Sequence, residues 1–178
     1  MNMKQQDYWN NVSDKKEFTT PFQVNAFAKY VKKNEIILDV GCGYGRTLDE
    51  LYQAGYHNLI GIDFSDGMIK RGNEQFPYLD LQVKKSDKID LPNESVDAVI
   101  LFTVLTCIST NDEQEQLLNE IKRVLKPGGI IYVNDFLLNS DERNLSRYKK
   151  FEAIYGTYGV FELPEGAILR HHNEIWIK

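Results

Sequence analysis

From residue 34 onward, the chain alternates short apolar runs with longer segments in which apolar residues recur every three or four positions. Such runs are typical of parallel strands that are covered on both faces, and the longer spacing is typical of helices that bury one side. The predicted strands lie near residues 36–40, 59–62, 79–83, 96–102 and 129–135. Strands that alternate with helices predict an α/β fold: a doubly wound, mainly parallel sheet with helices on both faces.

Capping residues mark the predicted helices between these strands. The first of these helices follows the first strand and can end at Gly55, because glycine readily adopts the left-handed conformation of a helix C-terminus. Ser65 caps the next helix, and Thr110 and Glu113 form a capping box before the long helix that stops at Pro127.

The first 33 residues are rich in large aromatic side chains, which argues against a disordered tail. Pro21 begins a predicted helix that runs to about Lys32 and carries apolar residues at Val24, Phe27 and Val31. We therefore expect residues 1–33 to form a helical cap packed on the core.

Composition favours one domain with a small substrate. The chain has 178 residues, 42% of them hydrophobic, and a net charge of -5, which argues against binding along a nucleic acid backbone. The sequence contains no apolar run long enough for a membrane span and no apolar signal region near its start, so a cytoplasmic location is predicted. Cys42 and Cys107 are too few for a disulfide framework or a zinc cluster, and no metal site is predicted.

A glycine-rich loop follows the first predicted strand. Gly41, Gly43 and Gly45 allow a sharp turn and leave room for a ligand beside the amides of the following helix. Asp39 precedes this loop by two residues, and Asp63 ends the second predicted strand. The pattern indicates a nucleotide-like cofactor, but its spacing departs from the G-x-G-x-x-G of dinucleotide-binding proteins.

This D-x-G-x-G-x-G arrangement with a distal acid resembles the class I S-adenosylmethionine-dependent methyltransferases. The resemblance implies that Asp39 lies near the methionine end of the cofactor, that Asp63 accepts hydrogen bonds from the ribose hydroxyls, and that Ser86 and Asp87 contact adenine. The segments 91–99 and 125–133 resemble the family's lead into the fourth strand and its turn into the fifth. The resemblance extends over about residues 34 to 136.

The resemblance also implies a division of the chain and one ligand crevice. Residues 34–136 are the expected S-adenosylmethionine-binding, Rossmann-like core, and residues 137–178 are the expected C-terminal, substrate-side segment of the same domain. Ligands in such folds bind beyond the carboxyl ends of the strands. The expected S-adenosyl-L-methionine-binding residues are Asp39, Gly41, Cys42, Gly43, Gly45, Asp63, Phe64, Met68, Ser86, Asp87, Phe102 and Thr103.

Some of these residues have a purely structural alternative. Gly45 can serve helix packing, Asp63 can cap a turn, and Met68 has the spacing of a core residue. Tyr8 and Trp9 either touch the cofactor or pack on the core.

No catalytic residue is assigned from the sequence. Transfer from a sulfonium needs alignment first and a base only for some acceptors. The side chains considered are Asp135, Tyr155, Tyr158, His171 and His172, and no motif distinguishes one of them. The segment after the fourth strand lacks the Asn-Pro-Pro-Tyr motif of methyltransferases that act on planar amino nitrogens.

The chain ends 42 residues after Phe136, which is short for the helix and two antiparallel strands that usually complete this fold. We expect a helix over residues 141–155 and an extended segment over 157–163, with the last antiparallel strands missing. The fifth strand then becomes an open edge, which predicts pairing with a second copy.

Three functions remain open. The leading one is methyl transfer to an unidentified small-molecule acceptor. The alternatives are a noncatalytic S-adenosylmethionine-binding or interaction module and, less favoured, an NAD-dependent oxidoreductase.

Overall fold

The structure is a computed structural model that describes residues 3–177. Seven helices and seven strands occur in the described chain, with one 3-10 turn at Leu105–Cys107. In chain order they are α1 Met3–Val12, α2 Val24–Phe27, β1 Ile37–Val40, α3 Arg46–Gln53, β2 Leu59–Asp63, α4 Asp66–Gln75, β3 Asp80–Val83, β4 Val96–Phe102, α5 Asn111–Val124, β5 Leu125–Asn134, α6 Glu142–Tyr155, β6 Val160–Glu162, β7 Ile168–Arg170 and α7 Glu174–Ile177.

Five strands form one sheet in the order β3-β2-β1-β4-β5, and every neighbouring pair is parallel. Successive residues of a strand point to opposite faces, so β1 contributes to two apolar clusters. Ile37 packs with Leu48 and Leu51 on one face, whereas Leu38 and Val40 belong to the cluster on the other face. The prediction of a doubly wound parallel sheet covered on both faces is confirmed.

The helix expected over residues 21–32 is wrong in its extent. Only Val24–Phe27 is α-helical, and the chain continues through turns. Phe22, Phe27 and Val31 are all buried in one cluster, and the Phe22 and Tyr132 ring centroids lie 4.8 Å apart. Packing of these side chains decides the path of the segment, because a short helix contributes little stability by itself.

The turn expected around Pro127 is part of β5. Val96 pairs with Leu125 and Ala98 pairs with Ile130, so residues 126–129 bulge out of the β4–β5 ladder. This register shift lets the proline stay in the sheet, because a bulge needs no ladder hydrogen bond from its nitrogen.

The C-terminal residues form a hairpin apart from the main sheet. The helix expected over residues 141–155 is present as α6, and the expected extended segment contains β6. The sequence did not predict β7, which pairs antiparallel with β6 in a separate two-stranded sheet. Within the described residues, β5 therefore ends the main sheet.

No helix in residues 3–177 has the length and apolar character needed to cross a membrane.

Candidate active site

The glycine loop turns sharply between β1 and α3. Gly41, Gly43 and Gly45 have φ values of +75°, +57° and +87°, a region that residues with a Cβ atom seldom adopt. A Cβ atom on Gly43 would lie 2.8 Å from Cε2 of Phe18. The loop conformation and the close approach of Phe18 thus both require glycine at this position.

Asp63 is fixed at the end of β2 by backbone amides. Its Oδ2 accepts a hydrogen bond from Gly43 N at 2.9 Å, and its Oδ1 accepts one from Ser65 N at 2.8 Å. The side chain is buried, and burial raises the pKa of Asp63 to about 6 although these amides favour the ionised form. Asp63 therefore links the glycine loop to the start of α4.

Asp39 is a second buried carboxyl group beside the loop. Burial raises its pKa to about 7, the negative charge of Asp63 adds to the increase, and the positive charge of Arg46 opposes it. Two neighbouring carboxyl groups that are costly to ionise form a site that a cationic ligand would stabilise.

Asp39 predicts how the stability of the ligand-free protein depends on pH. Its folded pKa of about 7 lies above the ordinary value of 3.8, so the folded chain binds a proton that the unfolded chain has lost between these pH values. The Asp39 carboxyl group therefore stabilises the folded chain most below about pH 4, and this stabilisation is lost as the pH rises through about 7. The Asp39→Asn variant lacks this dependence and should gain stability relative to wild type over that range.

Urea unfolding of both proteins at about pH 4.5, 6 and 7.5 measures the difference, because these values span the expected titration. Asp80→Asn, which changes an exposed carboxylate on β3, is the matched control and should follow wild type. Parallel pH profiles for Asp39→Asn and wild type would contradict the assigned pKa.

One cavity of about 750 Å³ opens beyond the carboxyl ends of β1, β2, β3 and β4. It lies within the range of about 300–1,000 Å³ that is usual for small-molecule sites. Of the twelve residues expected to bind a cofactor, all but Gly45 line it. The lining residues from that set are Asp39, Gly41, Cys42, Gly43, Asp63, Phe64, Met68, Ser86, Asp87, Phe102 and Thr103.

Gly45 lies away from the cavity wall and has a packing role. It is the N-cap of α3, and a Cβ atom there would come within 3.0 Å of Leu81. Ser65, next to the lining residues Phe64 and Asp66, caps α4 by accepting a hydrogen bond from Met68 N, as the sequence predicted. Thr103 has a φ of +60° and donates its N–H to Asn134 O, which turns the chain at the end of β4 toward the cavity.

A strap formed by residues 16–20 covers the glycine loop and lines the cavity. The ring of Phe18 stacks on Tyr44 with centroids 5.5 Å apart. Arg71 of α4 donates hydrogen bonds to the carbonyls of Ser13 and Lys16 and pairs with Glu17. No sequence motif predicts this strap, because its only signal is the general richness of the N-terminus in aromatic residues.

Helix α1 forms another part of the wall through Gln5, Gln6 and Trp9. Gln6 donates to Phe64 O at 2.8 Å, and Asn10 accepts hydrogen bonds from Ser65 Oγ and Gly67 N. These contacts attach α1 to the start of α4, next to Asp63.

Arg46 is a further lining residue, and the sequence alone predicts no role for it. Its guanidinium donates to Thr20 O at 2.7 Å and pairs with Glu50. Its Nε is buried and has no hydrogen-bond partner in the described part of the chain. A ligand carboxylate would satisfy this donor.

The side chains considered as catalytic bases lie outside the cavity wall. The five are Asp135, Tyr155, Tyr158, His171 and His172, and none of them is a lining residue. His172 lies 2.9 Å from Gln114, and burial together with the charge of Arg170 lowers its pKa to about 4. Asp135 accepts hydrogen bonds from the amides of Thr106 and Phe136. The structure thus gives no reason to assign a base among them.

Known proteins share both the sequence pattern and the fold. A family model described as a methyltransferase domain matches residues 38–133, more than half of the chain. The chain is 28% identical over 111 residues to the eEF1A lysine and N-terminal methyltransferase of Mus musculus, which covers 57% of this chain and 16% of that protein. It is 29% identical over 128 residues to the demethylmenaquinone methyltransferase of Renibacterium salmoninarum, and this match covers 72% of this chain and 49% of that protein.

The chain therefore spans less than half the length of these curated relatives. A solved structure of an S-adenosylmethionine-dependent methyltransferase from Methanosarcina mazei superposes with a TM-score of 0.81 at 24% identity, covering 89% of this chain and 82% of that one. The strand order, the glycine loop and the match of the family model all indicate the same family. The chain belongs to the methyltransferase domain family and has the class I fold of S-adenosylmethionine-dependent methyltransferases.

Proposed function

We propose that this protein transfers the methyl group of S-adenosyl-L-methionine to a small-molecule acceptor. The observation that carries the proposal is one cavity that unites the glycine loop with two buried carboxyl groups and with Ser86 and Asp87. This combination provides complementary groups for the charged, ribose and adenine parts of the cofactor.

Each part of the cofactor has a proposed partner. Asp39 balances the positive charge of the methionine end, and the unpartnered Nε–H of Arg46 donates a hydrogen bond to its carboxylate. Asp63 takes the ribose hydroxyls, since a carboxylate can accept more hydrogen bonds than the two amides supply. Ser86 and Asp87 take the adenine end, and the buried Met68 lines the same cavity.

Methyl transfer is an in-line displacement at a carbon that the sulfonium already activates. The main requirements are alignment of the acceptor with the carbon–sulfur bond and exclusion of water. Helix α1 and the strap provide the enclosure, because both line the cavity. An acceptor that is nucleophilic without deprotonation needs no protein base, which agrees with a wall that lacks the histidines and Asp135.

A small acceptor is favoured by this enclosure, since the strap, α1 and β7 all contribute to the wall. The named relatives act on different acceptor classes, a protein and a quinone precursor. A screen of small nucleophiles that detects release of S-adenosylhomocysteine tests the proposal. Turnover with a small molecule supports it, whereas turnover only with protein or RNA would assign another acceptor class.

A noncatalytic S-adenosylmethionine-binding module remains the second candidate function. The absence of the five considered base residues from the cavity wall in the described chain agrees with this module as well as with an enzyme that needs no base. Binding of S-adenosylmethionine without turnover across the whole screen would favour this module.

We further propose a cytoplasmic location and self-association. Cys42 and Cys107 are free thiols, as is usual in a reducing compartment.

The outer edge of β5 pairs with no strand in the described chain, and Ile131 and Val133 on it are 39% and 38% exposed. Pairing with a second copy would cover this edge, and light scattering should then give the mass of a dimer that Val133→Lys shifts to the monomer.

A further inference from the structure

One part of the cavity wall is built from segments outside the cofactor-binding loops. We name it the acceptor chamber, and its residues are Gln5, Thr106, Ile108, Phe136, Ile168 and Leu169. They come from α1, from the 3-10 turn and the residue after it, from the residues after β5, and from β7. Since the proposed cofactor partners occupy the ends of β1 to β3, this chamber is the space left for the acceptor.

The side-chain amide of Gln5 connects separate segments of the chamber, and both hydrogens of its Nε2 take part in these bonds. Its Nε2 donates to Ile168 O at 2.5 Å and to Cys107 O at 3.1 Å, and its Oε1 accepts from Ile168 N at 3.3 Å. The side chain is 4% exposed. Gln5 therefore holds three segments of the wall in place and leaves no amide hydrogen for a ligand.

The charged side chains that neighbour chamber residues in the chain are held behind the wall, and the Cys107 thiol, which does line the cavity, stays neutral because burial raises its pKa. Asp135 accepts hydrogen bonds from the amides of Thr106 and Phe136. Arg170 is buried, does not line the cavity, and donates to Ser109 O at 3.3 Å. The charged residues that do line the cavity belong to the strap, α3, the start of α4, the ends of β1, β2 and β3, and the start of α5.

The six chamber residues are consequently uncharged, and four of them are apolar. Oγ1 of Thr106 is buried and has no hydrogen-bond partner within residues 3–177. A charged acceptor would lose its hydration here without gaining an ion partner, which is strongly unfavourable. A neutral molecule with one hydroxyl or carbonyl group would lose much less.

We propose that the acceptor is a neutral, mainly apolar small molecule whose single polar group hydrogen-bonds Thr106 Oγ1. This inference rests on the proposed methyltransferase function and narrows its substrate class. The apolar body of the acceptor packs against Ile108, Phe136 and Ile168. Thr106 is a specificity-determining residue, since it supplies the polar contact of an otherwise apolar chamber.

The test compares two probes of equal ring size, 2-naphthol and 2-naphthoate, by calorimetric titration of the protein saturated with S-adenosylhomocysteine. We expect naphthol to bind at least about tenfold more tightly than naphthoate, because only naphthoate carries a charge into the chamber. Thr106→Val should weaken naphthol binding by about three- to tenfold, as for loss of one neutral hydrogen bond.

A second substitution keeps the test independent of Thr106. Ile168→Asp should weaken naphthol binding more than tenfold, whereas Ile154→Asp, at a 66% exposed position on α6, should leave it unchanged. Both chamber variants should still bind S-adenosylhomocysteine. Equal or tighter binding of naphthoate, or unchanged naphthol binding in both chamber variants, would overturn the proposed acceptor class. Failure of wild type to bind S-adenosylhomocysteine would instead overturn the proposed function.

Discussion

Replacing Asp63 by asparagine should lower the affinity for S-adenosylmethionine by about 100-fold. The carboxylate accepts amide hydrogen bonds from Gly43 and Ser65 and has lone pairs left for the ribose. Hydrogen bonds to a charged group contribute about 1.5–3 kcal/mol each, and a 100-fold loss corresponds to about 2.8 kcal/mol. Asparagine keeps the shape but has only one acceptor oxygen.

Isothermal titration of the variant against wild type measures this loss. Asp80→Asn is the matched control, because Asp80 is exposed and lies outside the cavity wall. It should bind the cofactor as wild type does. An Asp63→Asn variant that binds within threefold of wild type would show that the carboxylate only holds the loop.

Replacing Gly72 by alanine should destabilise the protein, although the same change usually favours a helix. Gly72 lies in α4 against the glycine loop, and a Cβ atom there would come within 2.7 Å of Tyr44 O and 2.5 Å of Leu81 Cδ1. Helix propensity alone predicts a gain of about 0.8–1 kcal/mol, but forced overpacking costs about 1–3 kcal/mol. We expect the overpacking cost to exceed the propensity gain, so the free energy of unfolding should fall by about 1 kcal/mol.

The neighbouring position separates helix propensity from packing. Asn73 is exposed on the same helix, so Asn73→Ala should leave the protein as stable as wild type or slightly more stable. Urea unfolding gives both values, and titration with S-adenosylmethionine should show weaker binding for Gly72→Ala because the Tyr44 backbone must shift. Stability of Gly72→Ala equal to wild type or higher would contradict this packing role.

The main sheet and the position of the cavity could be predicted because they depend on local patterns. Apolar runs and capping residues identify strands and helices one segment at a time, and parallel strands bring the loops after Val40, Asp63 and Val83 to one edge. The residues expected there line the cavity with the exception of Gly45. The sequence could not predict that Gly45 lies outside the wall. A glycine with a positive φ has the same sequence signal whether it faces a ligand or packs against Leu81.

The remaining features depend on contacts between distant segments. Gln5 bonds to Ile168, which is 163 residues away, and no spacing rule connects the two. The strap is fixed by Arg71 through the carbonyls of Ser13 and Lys16, and these partners lie too far along the chain for a local pattern to predict them. The short α2 and the bulge before Ile130 likewise reflect tertiary packing that outweighs helix periodicity and turn composition.

Titration of wild type with S-adenosylmethionine, S-adenosylhomocysteine and NAD tests the central claim most directly. The cavity unites Asp39, the glycine loop and Asp63, and it should bind both sulfur nucleotides with micromolar affinity and leave NAD unbound. Binding of NAD alone, or no binding of either sulfur nucleotide, would contradict the assignment of this cavity to S-adenosylmethionine.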